Sequence, residues 1–299
     1  MEGKIITDSF ISRLETLALN LKSYMRGYFG GVHKTNSYGS TVEFADFREY
    51  ILGDDLRRID WNLYSRFEKF FIKLFTDERQ MHMQIILDCS SSMAFKNSNK
   101  DTYAIQLAAA LGYLSVQNMD KVSFKLIHND HLDDLCGIIS GKSALFRGLT
   151  RLDDIKFIGT AQIEKAITND LNPGYSDGMT IIISDFLTDD RWKSAVDFLL
   201  YRHREVMLVQ ILDPNEVSPN YKGRHLLIDS EASDHLDERN VKINITKSDY
   251  EAYLKALDDY LLDIQNFVKK RNLTYLKGIT TDPIEKIFFN QLYESGVIK

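Results

Sequence analysis

The sequence predicts an α/β protein: a doubly wound, mostly parallel sheet with helices on both faces. Three observations carry that prediction. From about residue 80 onward, short apolar runs alternate with helical stretches, the pattern of parallel strands covered on both sides. The first run ends on Asp88, directly before Cys89-Ser90-Ser91-Ser92, so polar side chains sit at a strand's carboxyl end, where open α/β sheets bind ligands. A composition of 44% hydrophobic and 27% charged residues over 299 positions supplies a sizeable core, yet no apolar run reaches membrane length.

Taken in order, Ile11, Leu14, Leu17 and Leu21 recur at helical spacing and predict an amphipathic helix from Ile11 to about Tyr28, stopped by Gly30-Gly31. From Gly39 to Glu78 charge and aromatics interleave, and Phe70 to Leu74 reads as a strand. The sheet strands follow as Met83 to Leu87, Val122 to Ile127, Leu135 to Ile139 as a hairpin edge, Met179 to Ile183, Val206 to Leu212 and Leu273 to Ile279. Helices are expected at Thr102 to Asn118, Ser143 to Leu152, Ala161 to Leu171, Asp190 to His203, Ser248 to Lys270 and Pro283 to Tyr293. Residues 1–79 therefore read as an N-terminal segment and 80–299 as the sheet domain. A small β insertion at about 215–246 carries Leu226-Leu227-Ile228 and Val241-Lys242-Ile243.

Thirty-seven Lys and Arg against 43 Asp and Glu leave a net charge of −6, which argues against a general nucleic-acid or anionic-lipid binder. The Arg57-Arg58 and Arg66-Lys69 positives are too few to restore it. Two cysteines make no disulfide framework and no zinc-ligand pattern, so a reducing compartment is the default. With no apolar leader after Met1, the expectation is a cytoplasmic protein without a membrane span.

The chemistry concentrates on Asp88-x-Ser90-x-Ser92. Two hydroxyls at alternate positions after a carboxylate can present oxygens to one hard cation, which a few further oxygen donors would complete. Thr160, after Gly159 and before a helix, and Asp185, at the end of the Thr180 to Ser184 strand, are the candidates to complete it. The group is expected at a surface crevice, outside the core.

These residues resemble, in order and strand context, the metal-ion-dependent adhesion site (MIDAS) of von Willebrand factor A domains. The upstream string Arg48-Glu49-Tyr50-x-x-Gly53-Asp54-Asp55-x-Arg57-x-Ile59-Asp60-Trp61, with Ser65-Arg66 after it, is similar to the hallmark of domain-of-unknown-function family fifty-eight, whose members are often encoded beside MoxR-type AAA+ ATPases. The resemblance runs from about Gly31 to Asp213. It implies that Ser90, Ser92 and Thr160 ligate the ion directly while Asp88 and Asp185 act mostly through water. The ion would be Mg2+, with Mn2+ or Ca2+ as alternatives, and a partner protein would supply an Asp or Glu to the remaining position. The implied role is a non-enzymatic adaptor or partner of a MoxR-like ATPase in complex assembly or maturation. Many relatives carry an N-terminal pair of membrane helices; a soluble form is expected here.

Competing readings of the same residues are weaker. A magnesium-dependent phosphohydrolase using Asp88 as nucleophile needs a second carboxylate two residues on, where Ser90 stands. No Gly-x-Ser-x-Gly elbow is present. Gly137 to Ser143 is one residue short of a phosphate-binding loop and reads as a turn before a helix. His128-Asn129-Asp130-His131 lacks a third zinc ligand and reads as a solvated turn. Cys89 reads as a small buried residue. For the Arg48 to Arg66 string, the aromatics Tyr50 and Trp61, expected to bury, argue against a solvated charged loop, and a structural network pinning the N-terminal segment to the sheet is favoured over a docking surface.

Overall fold

The computed structural model describes residues 4–25, 42–77, 80–95, 98–170, 178–188, 190–219, 223–227 and 241–291. The chain forms two units, residues 24–80 in one and residues 1–23 with 81–299 in the other. Helix α1 (Asp8–Met25) begins where Thr7 Oγ1 accepts from the Phe10 amide at 3.2 Å. Its Phe10, Leu14 and Leu17 are buried, and Arg13 on another side pairs with Glu285. The expected Gly30-Gly31 stop lies outside the described residues.

In the smaller unit, β1 (Val42–Glu49) pairs antiparallel with β2 (Phe71–Asp77). Between them a 3-10 turn (Leu56–Arg58) is capped by Asp55, and α2 (Trp61–Phe67) is capped by Asp60, whose Oδ1 accepts from the Asn62 and Leu63 amides. Arg48 bridges to Asp54 at 2.9 Å and Lys73 to Asp60 at 3.0 Å. A polar network is present, but the aromatics do not bury as expected: Trp61 is 63% exposed and Tyr50 half-buried. The reason is local. Helix α2 is two turns long with no buried residue, and its rings cover one another, Tyr64 stacking on Phe70 at 4.6 Å with Trp61 edge-on to both.

The larger unit holds the sheet. Its elements are β3 (His82–Asp88), α3 (Lys100–Gln117), β4 (Lys121–His128), β5 (His131–Asp134), α4 (Lys142–Leu152), α5 (Ile163–Thr168), β6 (Gly178–Ser184), α6 (Trp192–Tyr201), β7 (Glu205–Leu212) and α7 (Pro214–Val217). Then come the hairpin β8 (Gly223–Leu227) and β9 (Val241–Ile245), α8 (Lys247–Arg271), β10 (Thr274–Ile279) and α9 (Ile284–Lys286), which runs on as a π-helical turn (Ile287–Gln291). Residues 228–240 of the insertion and 292–293 of the expected last helix lie outside the described residues.

Strand order is β10-β7-β6-β3-β4-β5, parallel throughout except for the edge strand β5. The chain moves from β3 one way to β4 and later the other way from β6, so the winding reverses between β3 and β6. Strands β3 and β6 are buried along their whole length, as their unbroken apolar runs require. Ile86, Ile182 and Leu208 share one face with α5, α6 and α8, where Phe186, Trp192 and Phe267 pack ring on ring. Strand alternation sends Ile85, Leu87 and Phe124 to the opposite face, toward α3. There a Cβ on Gly112 would meet Phe124 Cζ at 2.6 Å, so only glycine admits that approach of helix to sheet.

One expected strand is displaced. The antiparallel edge is His131–Asp134, whereas Leu135 to Ile139 forms no strand and meets β4 through the Leu135 amide on Phe124 O and an isolated bridge between Ile139 and Val122. The two-residue turn at Asn129-Asp130, with Asn129 at φ 53°, fixes the hairpin register earlier than the apolar pattern implies. Ile139 and Cys136 are apolar because they pack against Gly148 of α4.

Candidate metal centre

Parallel pairing of β3 with β6 sets Leu87 opposite Ile183, so Asp88 and Ser184 end neighbouring strands. Ser184 Oγ donates to Asp88 Oδ2 at 2.6 Å and accepts from the Phe186 amide at 3.0 Å. Asp88 Oδ1 accepts from the Ser90 amide at 2.9 Å, which turns the chain back over the strand end. Both Asp88 oxygens therefore hold protein donors. Just beyond, Ser90 Oγ and Ser92 Oγ hydrogen-bond to each other at 2.9 Å. Two adjacent oxygens on an octahedral Mg2+ at about 2.05 Å would be separated by about 2.9 Å, so this hydroxyl pair fits one edge of such a shell.

The Thr160 loop abuts the serine loop through two backbone bonds: the Ser91 amide donates to Gly159 O at 2.9 Å and the Ile158 amide to Cys89 O at 2.8 Å. Thr160 is half-buried, its Oγ1 3.4 Å from Asn129 Oδ1, and its carbonyl accepts from the Asn129 amide at the end of β4. Asp185 follows β6 and is also fully engaged. Its Oδ1 accepts from the Leu187 amide at 2.9 Å and its Oδ2 from Lys100 Nζ at 2.7 Å. The next residue, Phe186, is buried in the left-handed region at φ 55°; its carbonyl accepts from Tyr260 Oη of α8.

Sequence reasoning missed Ser184, Asn129, Lys100 and Glu216. Lys100 opens α3 yet is 1% exposed, with Glu216 Oε1 of α7 at 2.6 Å as its second acceptor. Burial alone would lower its pKa, but the Asp185 and Glu216 carboxylates outweigh that and hold the ammonium above its ordinary value. Asp88 moves the same way for the opposite reason: burial and then the Asp185 charge raise its carboxyl, against the lowering effect of the Ser184 and Ser90 donors. Two carboxylates in one dry corner thus favour an added positive charge.

Asp88 is 3% exposed, so it belongs to the sheet interior and not to an open crevice as expected; the hydroxyls in front of it screen it from solvent. Cys89 is buried, and burial pushes its thiol well above the usual range. His128 and His131 lie at an exposed hairpin turn, each beside its own carboxylate, Asp133 and Asp130. Among the described residues no three His, Cys, Asp or Glu side chains are grouped to hold a metal. A centre built chiefly of hydroxyls does not need such a group. No described helix is long and apolar enough to cross a membrane.

A family model described as "Protein of unknown function DUF58" matches residues 46–257. Uncharacterized protein Mb1516 of Mycobacterium bovis is 26% identical over 237 residues, 78% of this chain and 74% of that protein. Among solved structures, the conserved hypothetical protein BatB from Bacteroides thetaiotaomicron is 16% identical, covering 72% of this chain and 98% of its own, with a TM-score of 0.45. A von Willebrand factor type A protein from Catenulispora acidiphila is 10% identical, covering 46% of this chain and 34% of its own, with a TM-score of 0.36.

Proposed function

The chain belongs to the DUF58 family of proteins of unknown function, and from that premise we propose that it is a metal-ion-dependent protein-binding module. Ser90, Ser92 and Thr160 would hold a divalent cation directly, and Asp88 and Asp185 would hold it through water. Mg2+ is the first choice, with Mn2+ or Ca2+ as alternatives. The observation that carries the reading is the 2.9 Å hydroxyl pair of Ser90 and Ser92, set in front of two carboxylates whose oxygens are already bonded to protein donors.

The chemistry follows from the donor types. Neutral hydroxyls leave a divalent ion most of its charge, and a position not filled by this chain would attract an Asp or Glu of a partner protein. The bound ion supplies electrostatic attraction to that carboxylate. Ser184 orients Asp88, the Ser91 amide ties the serine loop to the Thr160 loop, and Lys100 orients Asp185. The module is read as non-catalytic and cytoplasmic. A MoxR-type AAA+ ATPase as its partner, in protein complex assembly or maturation, rests on the family resemblance.

Mn2+ titration followed by electron paramagnetic resonance tests the site. Wild-type protein should bind one ion, and Asp88→Asn and Ser90→Ala should lose at least tenfold in affinity with circular dichroism unchanged. Asn is chosen because it keeps the shape of the carboxyl and can still accept from the Ser90 amide, while the Ser184 hydroxyl must turn to accept from its NH2. Equal binding in all three proteins would sink the reading, as would magnesium-dependent turnover in a broad phosphatase screen that Asp88→Asn abolishes. Co-purification of a MoxR-type ATPase with Mg2+ and its loss in chelator would support the partner assignment.

A further inference from the structure

The Lys100 ammonium is the least expected group in the larger unit. The first residue of an exposed helix end ordinarily sends a lysine to water, yet this one turns inward to 1% exposure and lies between Asp185 Oδ2 at 2.7 Å and Glu216 Oε1 at 2.6 Å. Burying an ion pair costs desolvation that an apolar residue would avoid. Asp185 and Glu216 share the one ammonium, and Asp88 in turn feels the Asp185 charge, so Lys100 offsets part of the negative charge at the β6 end. Without the ammonium a bound divalent ion would face more of that negative charge and would attract an incoming carboxylate less.

We propose that Lys100 is the charge-setting residue of the candidate centre: by neutralising Asp185 from inside the fold, it weakens the hold on the metal and keeps the bound ion electropositive toward an acidic partner. This rests on the metal-site reading above. Glu216 moderates the effect, because it shares the ammonium with Asp185. The acceptor of this tuned charge is a carboxylate side chain, so selectivity for Asp or Glu over neutral ligands is what the lysine adds.

The full-length chain tests this with Mn2+ as the metal probe and acetate as the carboxylate probe. Glu216→Gln gives Asp185 the whole of the ammonium and should weaken Mn2+ binding several-fold. Adding Lys100→Met in that background should tighten Mn2+ binding about tenfold or more, while raising the acetate concentration needed to displace Mn2+-bound water, read by water-proton relaxation. Lys100→Arg should stay near wild type. A merely structural lysine would weaken metal binding when lost, so the sign of the change decides. Unchanged or weaker Mn2+ binding in the folded Lys100→Met variant overturns the proposal. If that variant does not fold, unchanged affinity in Glu216→Gln overturns it alone. Wild type failing to bind Mn2+ at all refutes the underlying site, a result distinct from either.

Discussion

Ser184 Oγ donates to Asp88 Oδ2 at 2.6 Å and accepts from the Phe186 amide at 3.0 Å, so one buried hydroxyl locks two adjacent strand ends at the point where the sheet's winding reverses. Ser184→Ala would leave both an acceptor and a donor unmatched at a fully buried position. The expected outcome is a loss of about 1–2 kcal/mol in denaturant unfolding, together with weaker Mn2+ binding as Asp88 loses its orientation.

Loading the centre should stabilise the larger unit. At a free Mn2+ concentration 100 times Kd, linkage adds about 2.7 kcal/mol, visible as a rise in Tm that chelator reverses. Asp88→Asn should show no such rise.

Packing gives a prediction independent of any ligand. Alanine at Gly112 improves helix propensity by about 1 kcal/mol, but its Cβ would meet Phe124 Cζ at 2.6 Å. Phe124 is 1% exposed, so its ring can yield only by displacing packed neighbours, and overpacking at about 1–3 kcal/mol prevails. Gly112→Ala should lower the unfolding free energy, and a gain would contradict the close approach of α3.

Two buried groups away from the centre set opposing pH dependences. Burial pushes the Asp120 carboxyl up to about 7, with Oδ2 lacking a hydrogen-bond partner among the described residues and the Met81 amide its one opposing donor. The folded state keeps that proton between about pH 4 and 7 where the unfolded chain has lost it, so this group's contribution falls as pH rises through the window. Burial, then the Arg204 charge, lowers His82 to about 4; the unfolded chain takes up its proton first, so stability falls as pH drops below about 6.5. Asp120→Asn leaves only the second effect. Relative to wild type, the variant should gain about 1–3 kcal/mol between pH 5 and pH 8, measured by urea unfolding at each pH.

The central strands were legible because burial on both faces leaves Ile85-Ile86-Leu87 and Ile181-Ile182-Ile183 as unbroken apolar runs. The position of Asp88 and Asp185 at strand ends followed from the same runs, whereas the pairing that makes those strands neighbours is a finding of the structure. Strand β5 was not legible: an exposed edge of His131, Leu132, Asp133 and Asp134 carries no alternation for a reader to find. Trp61 misled because ring-on-ring contact in a two-turn helix can satisfy an aromatic without burying it. Lys100 gave no local sign at all. Its partners lie 85 and 116 residues further along, and only the sheet order brings them to it.

Phe186 sets a limit on how this corner can respond to an occupant. A non-glycine residue at φ 55° holds a torsion that is costly unless its surroundings enforce it, and here the ring's burial, the Ser184 hydroxyl and the Tyr260 phenol do so together. The backbone beside Asp185 is therefore fixed, and its side chain is held separately by Lys100 and the Leu187 amide. The β6 side behaves as an anvil, and on the β3 side Ser90 is buried while Ser91 and Ser92 are half-buried, with the turn tied to the Thr160 loop through the Ser91 amide.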